Sequence, residues 1–97
     1  MNLYVIMRRN GWATVEDLQV AGARSAEVGD QPGSGVRWIR SYALSEEAGD
    51  VGTVCIYQAT SPEAIRAHAS KAVLPVDEIV KVADTVIVRP DPVLAAA

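Results

Sequence analysis

Between Thr53 and Val82 the chain reads TVCIYQATSPEAIRAHASKAVLPVDEIVKV, and this stretch limits the fold more than any other. It opens on a run of β-formers. Ser61 then offers an N-cap oxygen, Pro62 suits the first helical position, and Glu63 places negative charge in the first turn. Ile65, His68, Ala69 and Ala72 recur at i, i+3, i+4 and i+7, the spacing of an inward helical stripe. Leu74–Pro75 stops the helix, because a residue before proline disfavours helical angles. The chain then returns to β-formers, so the stretch is strand, helix, strand.

The first half has the same grammar. Asn2–Arg8 is rich in β-formers, with apolar side chains at both parities, which predicts a strand covered on both faces. Asn10–Gly11 reads as a turn. Thr14 and Asp17 resemble a capping box before a helix from Val15 to Val28 that Gly29 can end. Its stripe of Val15, Leu18, Gly22 and Ser25 is mostly small, letting the helix lie close to a sheet. Asp30–Gly35 is loop by composition and is expected to be the most mobile part. Val36–Leu44 predicts a strand with Trp38, Arg40 and Tyr42 on one face. Ser45–Gly52 suits a hairpin, and Glu46 and Glu47 read as a solvated face. Thr53–Ala59 puts Thr53, Cys55, Tyr57 and Ala59 on one side. Asp77–Val88 predicts a last strand, interrupted at Ala83–Asp84, before Pro90 and Pro92 end the fold.

Strand–helix–strand–strand–helix–strand has a familiar solution: a ferredoxin-like α+β domain, βαββαβ, with a four-stranded antiparallel sheet and both helices on one face. A chain of 97 residues holds one such domain, expected over residues 1–90, with residues 91–97 as a tail. Two helices cover only one sheet face, yet several strands are apolar on both. The uncovered face exceeds what monomers usually expose. The expectation is a homodimer through that open face, with a long tail or a lipid-like ligand as the other means of covering it.

Composition removes partners rather than naming one. The net charge is −3 and basic residues are scattered, which excludes nucleic acid and anionic membrane surfaces. No apolar run approaches the ~18 residues of a membrane span, and no signal-peptide pattern leads the chain. One cysteine forms no internal disulfide, so a reducing, cytoplasmic setting is expected.

His68 is the only histidine and Cys55 the only cysteine. On an inward stripe a lone imidazole is either a packed, hydrogen-bonded residue or a ligand. Imidazole with thiolate suits nickel or zinc, provided carboxylates, water or a second subunit complete the set. Cys55, mid-strand, is either a small hydrophobe or that partner. Arg40 between Trp38 and Tyr42 needs an anion if buried: either an interchain carboxylate or a ligand in an aromatic-walled pocket that Tyr57 would also line. There is no GxGxxG, P-loop or GxSxG, and no residue is assigned as catalytic.

The segments VRWIRSYAL, TVCIYQATSPEAIRAH and LPVDEIVKV resemble a family of short bacterial proteins of unknown function, one branch of which is nickel-binding and nickel-responsive. The likeness runs from about Leu3 to Val82. It implies a dimer of the α+β barrel type and points to nickel, with His68 and Cys55 at positions where a metal-capable residue is familiar. The nickel-binding branch carries a second histidine further along the helix, where this chain reads Ala69–Ser70–Lys71–Ala72. The expected function is non-catalytic binding of a metal ion or small molecule. The alternatives are a dimeric α+β-barrel enzyme, monooxygenase- or isomerase-like, with His68, Tyr42 and Arg40 lining its pocket, and a structural or regulatory partner protein.

Overall fold

The computed structural model describes residues 1–93. Six elements follow in the expected order: β1 (Asn2–Trp12), α1 (Val15–Gly29), β2 (Val36–Ser45), β3 (Val51–Ala59), α2 (Pro62–Ala72) and β4 (Glu78–Lys81). The strands form one antiparallel sheet in the order β2-β3-β1-β4, the ferredoxin-like arrangement.

Both helices begin where their caps dictate. The Thr14 hydroxyl accepts from the Asp17 amide at 3.1 Å and the Ser61 hydroxyl from Ala64 at 3.1 Å. At the far end of α2, Val73 takes the left-handed conformation (φ 57°). The Arg24 guanidinium, reaching over from α1, donates to the carbonyls of Ala72 and Val73. Carbonyls at a helix end lack intrahelical donors, so this contact ties the two helices where α2 stops.

The core lies between sheet and helices, built from Tyr4, Ile6, Val36, Cys55, Tyr57, Ala59 and Ile65. Ile6 and Ile65 are fully buried, each worth about 1.5–3 kcal/mol against exposure. The even residues of β1 (Tyr4, Ile6, Arg8) face this core. The odd residues (Leu3, Val5, Met7) are half-buried on the other face, so β1 is covered fully on one side only.

Three departures from the sequence reading shape the site. First, Asn10–Gly11 is no turn. β1 runs on to Trp12, with a register shift between Arg8 and Trp12 and Asn10 left-handed at φ 50°. Glu46 fastens this bulge and is almost fully buried instead of solvated. Its carboxylate accepts from the Arg9 side chain at 2.7 Å and from the Asn10 amide at 2.6 Å. Second, β2 is bulged. Trp38 pairs with Tyr57 and Arg40 with Ile56, leaving Ile39 outside the ladder. Third, β4 ends at Lys81, not Val88. It pairs antiparallel with β1, the Val82 amide still reaching the Leu3 carbonyl at 2.9 Å. Beyond that only Asn2 of β1 remains, too little to carry a strand on to Val88. The segment from Asp84 to Asp91 instead crosses the open face of the sheet, above Leu3, Val5, Ile39 and Ile56. Of the expected tail, 91–97, residues 94–97 lie outside the described residues.

Candidate functional site

The β2 bulge divides the residues expected to share a pocket. With Ile39 surplus, Trp38, Ser41 and Ala43 face the helices, opposite Tyr57, Cys55 and Thr53. Arg40 and Tyr42 face the other way. Arg40 meets Asp91 of the crossing segment at 3.1 Å, and the Tyr42 hydroxyl donates to the same carboxylate at 2.7 Å. The anion expected for Arg40 is therefore supplied within the chain. His68 lies on the helix side, so His68, Tyr42 and Arg40 do not form one site.

His68 is buried on α2. Its Nε2 lies 3.0 Å from the Ser25 carbonyl, a contact that requires Nε2 to carry the proton and donate. Nδ1 is then an acceptor, buried and without a partner. Burial lowers the imidazole pKa, the Ser25 bond acts against this, and the charge of Arg8 adds to it. The ring meets Tyr57 edge-on, centroids 5.6 Å apart. Cys55 is also buried, its thiol donating to the Thr53 hydroxyl at 3.4 Å. No hydrogen bond joins His68 to Cys55, and they line different cavities. Among the described residues no three His, Cys, Asp or Glu side chains gather in a group able to hold a metal ion. A borderline metal takes four or more ligands, and these two residues do not fit one as a pair.

The residues that do converge surround a cleft of about 370 Å³ between α1 and the sheet. Leu18, Gly22 and Ser25 of α1 form its roof, and Trp38, Ser41 and Ala43 of β2 one wall. Trp12 and Leu74 close its end, and Arg8, Thr53, Cys55 and Tyr57 form its floor. The small stripe on α1 opens this space: a Cβ at Gly22 would still stand 3.7 Å from the Trp38 ring. Trp38 stacks on Tyr57, centroids 6.2 Å apart at 21°. The Tyr57 hydroxyl bonds Ser25 at 2.9 Å. Burial raises the Tyr57 pKa, with the Ser25 bond and the charge of Arg8 pulling the other way, so the phenol stays protonated.

Of the expected pocket residues, Trp38 and Tyr57 lie in this cleft; Arg40 and Tyr42 do not. Arg8 and Trp12 escaped the sequence reading. Trp12 was hidden behind a false turn. Arg8 carried a signal, since it continues the parity of Tyr4 and Ile6, a buried face that ends on a charge.

Among the described residues no helix is long and apolar enough to cross a membrane. The crystal structure of SCO4226 from Streptomyces coelicolor A3(2) superimposes with a TM-score of 0.69 over 87% of this chain and 99% of that one, at 20% identity. At that identity the likeness is one of fold. No curated protein matches the chain. The family model described as nickel responsive protein SCO4226-like matches residues 4–82, from within β1 to just past the end of β4. The chain belongs to the SCO4226-like family of nickel responsive proteins.

Proposed function

We propose that this protein is a non-catalytic binding protein of the cytoplasm that takes a small organic molecule in the cleft between α1 and the sheet. The observation that carries this reading is the cleft itself. It has the volume of a ligand site and walls that include Trp12, Leu18, Trp38 and Leu74, and the described residues leave it unfilled. The family name ties its members to nickel, but the metal-capable residues of this chain do not assemble, so the ligand assigned here is organic. The unfilled space lies on the helix side, away from the sheet face on which a second copy would sit, so a homodimer would leave it open.

The test is binding of a neutral fluorescent probe, N-phenyl-1-naphthylamine, to wild type and to Gly22→Leu. The leucine side chain enters the space beside Trp38. Wild type is expected to bind with a Kd in the micromolar range, and Gly22→Leu at least tenfold more weakly with the fold intact by circular dichroism. Equal binding by the two proteins overturns the reading.

A further inference from the structure

Arg8 is the most unusual residue in the molecule. It is 1% exposed, and among the described residues no salt bridge reaches it. One nitrogen, Nη1, donates to the Pro75 carbonyl at 2.7 Å, while Nη2 is buried with no partner. A guanidinium has five N–H donors and no way to shed its charge. A buried ion without a counter-charge is costly, and an anion in the cleft would supply that charge. The neighbouring basic residue, Arg9, has its carboxylate in Glu46; Arg8 has none.

The surroundings define the anion. No Asp or Glu lines the cleft whose floor Arg8 forms. Thr53 sits directly across from Arg8 on β3. Its hydroxyl accepts from the Cys55 thiol and so keeps its own proton free to donate. Two donors thus stand together on the floor of a cavity whose other lining is the indoles of Trp12 and Trp38, aliphatic Leu18 and Leu74, and the uncharged polar side chains of Gln19, Ser25 and Ser41. We propose that the cleft binds a small organic monocarboxylate with an apolar, flat body, its carboxylate on Arg8 and Thr53 and its body against Trp38 and Trp12. A planar carboxylate matches the guanidinium fork. A single cation balances a single negative charge; a phosphate dianion would bring a second charge for which the lining of the cleft holds no second cation. This inference rests on the cleft being a ligand site, and it names the class of ligand.

The test compares an isosteric pair, 1-naphthaleneacetate and 1-naphthaleneacetamide, by calorimetry at pH 7.5. Wild type is expected to bind the acid at least tenfold more tightly than the amide. Arg8→Met is expected to lose that preference, binding acid and amide alike, and to melt no lower than wild type, because an unmatched buried charge has gone. Equal affinity of wild type for acid and amide overturns the carboxylate assignment while leaving the cleft a ligand site. Failure of both to bind wild type, together with no effect of Gly22→Leu on the neutral probe, overturns the ligand site as well. Should Arg8→Met not fold, the acid-to-amide ratio of wild type decides alone.

Discussion

At the scale of single residues, the chain concentrates its constraints where β1, β3 and the β2–β3 hairpin meet. A Cβ on Gly52 would stand 2.6 Å from the Arg8 carbonyl and 2.8 Å from the Glu46 carboxylate. The first is backbone and cannot give way. Gly52→Ala is therefore expected to lower stability by about 2–3 kcal/mol in urea unfolding, near the upper end of ordinary substitutions. Two residues respond to acid in separate windows. The Arg9 bonds, aided by the Asn10 amide, hold the Glu46 carboxylate below its usual 4.5. Its contribution is present above that value and is lost as pH falls through the lowered pKa. His68 titrates below its usual 6.5. As pH falls below about 6.5 the unfolded chain binds a proton that the folded imidazole refuses, so stability declines. Unfolding curves from pH 7.5 to 4 are expected to show that decline in wild type. In His68→Gln, which can still donate to Ser25, they should be flat down to the carboxylate range. An equal slope in both would show that another group titrates. The sequence placed His68 on the inward stripe of α2 and grouped Cys55 with Thr53, Tyr57 and Ala59 on one side of β3, because helical and strand periods are local; the structure turns that side to the core. It could not show that Arg8 lacks a partner, since a counter-ion can come from anywhere in the chain.

At the scale of elements, local chemistry carried the reading far. Thr14 and Ser61 mark both helix starts because an N-cap acts over three residues. Long-range pairing set what periodicity missed. β4 cannot reach Val88 because β1 begins at Asn2, and β2 is bulged because its register is set against β3; neither fact is written within the strand concerned. The end of α2 carries a mismatch that can be tested. Val73 is β-branched, exposed, and held left-handed at φ 57°, where glycine is the ordinary occupant. Val73→Gly is expected to raise stability by about 1 kcal/mol, the strain removed exceeding the freedom glycine adds to the unfolded chain. Thermal unfolding reads this directly, and a lower melting temperature would mean that Val73 makes a contact worth more than its strain.

At the scale of the whole molecule, the sheet separates two surfaces. One side holds the core and the cleft. The other presents Leu3, Val5, Ile39, Tyr42 and Ile56 under the segment that ends at Asp91. That segment leaves its own apolar residues, Val86, Ile87 and Val88, 75–85% exposed. Apolar surface on both the sheet and its strap is more than a monomer commonly leaves wet, and a second copy on this face is the proposed cover. Light scattering at micromolar concentration is expected to give twice the 10.3 kDa of one chain. Ile56→Arg, in the middle of the face, should reduce it to a single chain without changing binding in the cleft. A wild-type particle of one chain mass would refute the dimer. The surplus residue of β2 has a further consequence. Because Ile39 stands outside the ladder, losing it leaves Trp38 and Arg40 on the faces they now occupy, whereas losing Ser41 reverses the orientation of one side of the strand. Descendants of this chain can thus shorten β2 at one position without exchanging its two surfaces, and each surface is free to diverge at its own pace.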